Sequence, residues 1–330
     1  MTRVVALLAA AVFASVPVTV GACAEGGAEP GASQEATLVL DYQPNAVHAG
    51  IYTALAAGEF SERGVELEVR EPSSSSDAPK LLSAGRAEFA VLDIHDLALA
   101  RERGIDVVGV AAIVQRPLAA VIARDRDAVR SPSDLEGGDV GVTGLPSDDA
   151  VLESVLEAGG ADVAAVDRVT IGFDSIAALS AGRLDAATAF WNAEGVLLRE
   201  LGVPTREFRV GDFGAPDYPE LVLATSGETI ETEPELVADV VAALGVGSRE
   251  AVADPERALS ALLASAPALE RAEQRAQLDA LIDAAALSGD VGLDRSVLSR
   301  WAAWDLERGI VSKPIDIDAG FSPDIAKTRN

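Results

Sequence analysis

The stretch DVVGVAAIVQRPLAAVIAR, residues 106–124, holds two apolar runs parted by Gln115, Arg116 and Pro117. The first, DVVGVAAIV, is continuous, as expected for a strand covered on both faces. The second, LAAVIAR, reads as a new strand. Upstream of the break, TLVLDY, VELEVRE and AEFAVLD read as strands. Between them AGIYTALAAGEFSERG (ending at Gly64), DAPKLLSAGR and HDLALARERG read as helices. Downstream the rhythm restarts. DVGVTG, DRVTIGF and DAATAFW are strands, and SPSDLEGG, SDDAVLESVLEAGG and DSIAALSAGR are helices, the second opened by Ser147 as its cap. ELVLATS, residues 220–226, is a further strand. Residues 229–312 read as mostly helical, with Pro234 and Pro255 in first turns. Strands alternating with helices imply a doubly wound, mostly parallel α/β sheet. Two such units with crossings near 116–118 and 214–221 predict two lobes. Residues 37–117 begin lobe 1, 118–220 form lobe 2, and 221–330 return a strand and helices to lobe 1. Ligands of such sheets bind outside the carboxyl ends of the strands, which here face the cleft between the lobes, and closure is then a hinge motion.

Composition narrows the function. Aromatic residues are only 4% of a chain that is 49% hydrophobic, so the core is expected to be Ala, Val, Leu and Ile. A formal net charge of -27 argues against nucleic acid or an anionic membrane face as direct partner. The N-terminus reads as a signal peptide over residues 1–22. Arg3 precedes an apolar stretch that contains Pro17 and is short for a spanning helix, and VGAC (20–23) ends it. The small residues before Cys23, the chain's one cysteine, resemble a bacterial lipobox and imply lipidation of Cys23. Residues 23–36 would then be a tether that anchors a soluble fold outside the cytoplasm. No P-loop, GxSxG, HExxH or dinucleotide fingerprint is present. Two histidines and a lone cysteine do not support a metal cluster, and no cofactor is expected.

The scarce side chains fall at predicted strand ends and crossings. Tyr42 ends the first strand, Asn45 sits at the turn, and His48 and Tyr52 are four apart on the next helix. Asp93 and His95 follow the third strand, and Gln115 and Arg116 the fourth. Trp191, Asn192 and Glu194 follow a lobe 2 strand, and Tyr218 lies at the second crossing. Tyr52, Trp301 and Trp304 read as core, and His95 as a structural cap. Aromatic faces with a few directed polar groups suit a flat, weakly charged heterocycle. Glu194 can accept from an N–C–NH2 edge, and Asn45 offers a donor and an acceptor. Arg116 can clamp a carboxylate or phosphate. In GVTGLPSDDA (141–150), backbone N–H groups at the helix start by Ser147 can hold an anion or a carbonyl, although an ordinary capped helix has the same pattern. The expected binding residues are Tyr42, Asn45, His48, Asp93, Gln115, Arg116, Ser147, Trp191, Glu194 and Tyr218.

The blocks LDYQPNAVHAGIYTALAAGEF, LLSAGRAEFAV, GVAAIVQRPLAAVIA, GLPSDDAVLESVL, AFWNAEG and FGAPDYPELVL span about residues 38–225. In order and spacing they resemble the periplasmic-type substrate-binding lipoproteins of transporters that import pyrimidine precursors of thiamine. That family is related to the yeast hydroxymethylpyrimidine phosphate synthase and, more distantly, to sulfonate- and taurine-binding proteins. The resemblance implies a two-lobed, type II periplasmic-binding-protein fold and a monomer that serves an ABC permease and its ATPase. The implied ligand is hydroxymethylpyrimidine or formylaminopyrimidine, with Glu194 on the aminopyrimidine edge and Asn45, His48, Trp191, Tyr42 and Tyr218 around the ring. Where the family commonly has Trp before x-P-N, this chain has Tyr42, which leaves a larger ring such as a flavin open. A sulfonate held by Arg116 and helix N-termini is the other alternative. The yeast-type enzyme uses a cysteine-rich motif, and the absence of cysteine after Cys23 points to a binder and not an enzyme.

Overall fold

The two apolar runs at 106–124 become strands of two different sheets. The computed structural model describes residues 33–72, 77–125, 129–172 and 174–325. The expected signal peptide, Cys23 and most of the tether lie outside the described residues, as do the serines of SSSSDAP. The chain divides after Ala32, and the fold below belongs to the unit that begins at Ser33. Its strands are β1 (Gln34–Val39), β2 (Val65–Arg70), β3 (Phe89–Asp93), β4 (Val108–Val114), β5 (Ala119–Arg124), β6 (Asp139–Val142), β7 (Asp167–Thr170), β8 (Ala186–Phe190), β9 (Thr205–Arg209) and β10 (Leu221–Thr225). They form two five-stranded sheets, ordered β2-β1-β3-β10-β4 and β7-β6-β8-β5-β9. The chain passes from the first sheet to the second between Val114 and Ala119, and returns between Arg209 and Leu221.

Each sheet holds one strand that opposes the rest. β10 pairs antiparallel with β3 and β4, and β5 pairs antiparallel with β8 and β9. The reason is connectivity. A strand that arrives from the other lobe enters at the cleft and runs away from it, whereas β1, β3, β6 and β8 run toward it. Both sheets are thus parallel apart from the strand each receives at a crossing.

The β4 run is buried at every position although β4 is an edge strand. C-terminal segments cover the edge: Ala112 N–H donates to Val291 O at 2.9 Å, Gln115 N–H to Ala286 O at 2.7 Å, and Ser322 N–H to Gly109 O at 2.9 Å. A covered edge cannot template pairing with another chain. Side chains alternate between two core layers, with Leu38, Phe89 and Val91 on one face of the first sheet and Val39, Ala90 and Leu92 on the other. The second layer also buries Tyr218, Trp301, Trp304 and Phe321 beneath helix Arg295–Glu307.

Several local expectations change. β1 starts at Gln34, because residues 34–36 already pair with Val65, Glu66 and Leu67 of β2. The first long helix ends at Ala57, where Gly58 takes φ 80 and closes it as a left-handed cap before a short turn of helix, Glu59–Glu62. Helix Pro146–Ala158 has Leu145 at its N-cap position, without a side-chain cap bond, and Pro146 in its first turn, so Ser147 lies inside the helix and is not its cap. β9, with the sequence TREFR, has no apolar run to announce it. Among the described residues no helix is long and apolar enough to cross a membrane.

Candidate functional site

The strand ends of both sheets meet around a cavity of about 120 Å³. Lobe 1 contributes Asp93 and His95, where β3 turns into helix Ile94–Glu102, and Glu220, where the chain enters β10. Lobe 2 contributes Ser147 and Asp148 from the first turn of helix Pro146–Ala158, Thr188 and Phe190 from the end of β8, and Glu194 at the start of helix Glu194–Glu200. A wider cleft of about 600 Å³, beside helix Pro234–Ala253 and residues 290–296, receives nothing from lobe 2 and lies away from the strand ends.

The lobe 2 wall is held by backbone N–H donors and one hydroxyl. Asp148 Oδ2 accepts from Thr143 N–H and from the Thr188 hydroxyl, both at 2.9 Å. Glu194 Oε2 accepts from Phe190 N–H at 3.0 Å. Burial still pushes the Glu194 carboxyl above its ordinary range, helped by the nearby Asp148 and opposed by its backbone hydrogen bonds.

The lobe 1 wall is a buried cluster of acids around an imidazole. Asp93 caps helix Ile94–Glu102, its Oδ1 accepting from His95 N–H at 2.7 Å. The His95 ring is 2.9 Å from Asp305 Oδ2 through Nδ1, and its Nε2 has no partner among the described residues. Burial works against a charged imidazole there, but Asp305 outweighs it, with Asp93 and Glu220 adding to the effect, and His95 is pushed up to about 10. Glu220 Oε2 accepts from Leu118 N–H at 2.6 Å, which ties the second crossing to the first. Burial and the negative Asp93 push Glu220 up to about 8. Among the described residues, Asp93, His95 and Glu220 have donor atoms within 4.8 Å of one another, close enough to be considered as metal ligands.

Of the ten residues singled out in the sequence, Asp93, Ser147 and Glu194 line this cavity. Tyr218 lies one layer behind, fully buried, its ring edge-on to His95 with centroids 5.1 Å apart. Trp191 is 2% exposed. Its indole N–H donates to Pro117 O at 3.0 Å and Arg209 covers its ring at 4.0 Å. Its faces are therefore taken by packing, and the aromatic ring on the cavity wall is the neighbouring Phe190. Asn45 and His48 form a capping box around a short 3-10 turn: Asn45 Oδ1 accepts from Val47 N–H at 3.0 Å, and Asn45 N–H donates to His48 Nδ1 at 3.2 Å. His48 Nε2 is 2.7 Å from Asp41 Oδ1, so both its nitrogens are occupied. Gln115 Nε2 donates to Asp290 O at 2.5 Å, and Arg116 pairs with Asp217 at 3.0 Å on an exposed surface. Tyr42 is 60% exposed, outside the cavity lining. The sequence reading missed Glu220, Asp148 and Thr188, and it took His95 for a cap where Asp93 is the cap. Scarcity drew attention to Tyr and His, whereas common Asp and Glu carry much of the wall. The one available signal was position, since Glu220 immediately precedes a strand that enters from the cleft.

Comparison with known proteins agrees with this architecture. The family described as NMT1/THI5 like matches residues 45–258. The formylaminopyrimidine-binding protein of Halalkalibacterium halodurans is 34% identical, over 68% of this chain and 69% of its own. Riboflavin-binding protein RibY of Chloroflexus aurantiacus is 28% identical over 96% of this chain and 93% of its own. The 4-amino-5-hydroxymethyl-2-methylpyrimidine phosphate synthase of Legionella pneumophila is 25% identical over 71% and 74%. Among solved structures, the periplasmic aliphatic sulphonate binding protein SsuA from Escherichia coli has a TM-score of 0.71 at 15% identity, covering 88% of this chain and 92% of that one. That likeness shows the fold, a two-lobed periplasmic-binding-protein architecture of type II.

Proposed function

Since the chain belongs to the NMT1/THI5-like family, we propose that it is the extracytoplasmic substrate-binding protein of an ABC importer and captures an aminopyrimidine precursor of thiamine. The ligand would be of the formylaminopyrimidine type that names its relative. The protein would act as a monomer, held at the membrane by a lipidated Cys23, and would deliver its ligand to the permease.

The observation that carries this reading is Glu194. It is a carboxyl held above its ordinary range by burial, on the wall of a cavity built from both lobes. A carboxyl there accepts from an exocyclic amine, and burial that favours its protonated form also favours an O–H donor toward the adjacent ring nitrogen. Phe190 offers the ring an aromatic surface. Among the described lining residues there is no Lys or Arg, and Asp93, Asp148 and Glu220 are acidic. His95 is the one basic group there and already faces Asp305. A sulfonate would meet carboxylates with no free cation, and Arg116 is engaged elsewhere by Asp217. The cavity of about 120 Å³ is smaller than the ~300 Å³ at which sites for drug-sized ligands begin. That favours a single ring over a flavin. The folded part carries no cysteine, which supports a binder over a synthase despite the synthases among its relatives.

Calorimetric titration of the purified protein with formylaminopyrimidine, hydroxymethylpyrimidine, thiamine, riboflavin and taurine tests the proposal. Saturable heat with the first two and none with taurine is expected. Silence toward both aminopyrimidines, or tight binding of taurine, would sink it. Incubation with pyridoxal phosphate should yield no pyrimidine product.

A further inference from the structure

Asp93, His95 and Glu220 come from two places in the fold: the turn from the end of β3 into the helix that follows, and the entry to β10. We propose that these three side chains form a binding site for a divalent transition-metal ion of the zinc type, with a further coordination position open to the cavity. The donor atoms lie within 4.8 Å of one another, one nitrogen and two carboxylate oxygens. Imidazole and carboxylate together suit zinc and its neighbours better than magnesium or calcium, which prefer oxygen alone.

Three independent features support the site. First, His95 is 3% exposed and its Nε2 has no hydrogen-bond partner among the described residues. A buried ring nitrogen without a partner is a costly arrangement, and a metal ion satisfies it by displacing the proton the nitrogen carries. Second, the other nitrogen, Nδ1, lies 2.9 Å from Asp305 Oδ2. A carboxylate behind the histidine is the usual outer arrangement of a metal-binding imidazole, because it fixes the ring and directs its free nitrogen at the ion. Third, each carboxylate is anchored by a backbone N–H. Asp93 Oδ1 is held by His95 N–H, and Glu220 Oε2 by Leu118 N–H. The Asp93 and Glu220 side chains also hydrogen-bond each other, and a metal ion takes the place of the proton they share. Binding would draw the three donors together to the ~3.4 Å separation set by zinc bonds of about 2.1 Å. The open position would face lobe 2, where water or a ligand atom completes the shell. A count of histidines and cysteines argued against a metal cluster; carboxylates supply the two donors that count leaves out.

The site is defined by lobe 1 residues alone and does not depend on which heterocycle binds, so it can be tested with the metal by itself. The purified full chain, stripped with chelator, is titrated with Zn2+ by calorimetry and with Co2+ by visible absorption. One equivalent per chain is expected, and the Co2+ spectrum should show low-symmetry coordination. Asp93→Asn keeps a good helix cap and Glu220→Gln keeps the acceptor for Leu118, so both should fold, as circular dichroism would verify. Each should weaken Zn2+ at least tenfold. Asp305→Asn should weaken it by roughly 10- to 100-fold through the orientation of His95. No stoichiometric binding, or binding unchanged in both Asp93→Asn and Glu220→Gln, overturns the site. Repeating the heterocycle titrations in chelator keeps this outcome separate from the aminopyrimidine reading, which stands or falls on Glu194.

Discussion

Glu194 meets two opposing influences, burial that favours its neutral form and two backbone hydrogen bonds that favour its charge. Burial dominates, and the consequence can be measured. An amide side chain offers the same donor and acceptor pair as a neutral carboxyl. Glu194→Gln should therefore lose about 1 kcal/mol of aminopyrimidine affinity, and Glu194→Ala ~2 kcal/mol or more, since alanine leaves the amine edge unpaired. Isothermal titration of the two variants checks the ranking, and equal losses would show that the charged form is the one that binds. The sequence placed Glu194 and Asp93 at strand ends because that position follows from the alternation of strands and helices. It could not decide which way neighbouring side chains turn. Trp191 and Phe190 are adjacent, yet one is sealed by Pro117 and Arg209 while the other lines the cavity. His48 reads the same in sequence whether it faces a ligand or, as here, closes a cap.

Helix Ala49–Ala57 and helix Pro234–Ala253 cross at their smallest residues. A Cβ on Gly247 would press into the carbonyl oxygen of Gly50 and into Ala54, all of them backbone or rigid atoms. Overpacking of this kind typically costs 1–3 kcal/mol, so Gly247→Ala should lower the urea midpoint clearly even though alanine is the better helix former. Gly211, with none of the described residues within 4 Å of its added Cβ, is the control and should tolerate alanine. A loss at both positions, or at neither, would contradict this account of the crossing. At this scale the sequence showed that a helical tail returns to lobe 1 but not how. Composition reveals small residues, whereas the close approach depends on the register of two helices nearly 200 positions apart. β9 was invisible for a related reason. Its TREFR buries only Phe208, and it is a strand because β5 offers it an edge to pair with.

The two sheets do not have wholly separate cores. One apolar cluster includes Leu38 and Val91 of the first sheet and Ile122, Leu179 and Leu198 around the second. Leu118 N–H bonded to Glu220 fastens the two crossings to each other at the cavity floor. The alternation of elements made two lobes legible in the sequence, because the break at Gln115–Pro117 interrupts two runs that are each long enough to be a buried strand. This shared core was not legible, since it arises from segments far apart in the chain. It predicts that the lobes unfold together. Scanning calorimetry of the free protein should show one endotherm. A ligand that touches Asp93 and Glu220 on one side and Glu194 on the other stabilises only the form in which both walls are intact. At a hundredfold excess over its Kd, that linkage is worth about 2.7 kcal/mol, which in a chain of this size should raise the single midpoint by roughly 4–5 °C. Two endotherms of which one moves would mean that the ligand sits within one lobe, and that the cavity between the sheets is not where it is held.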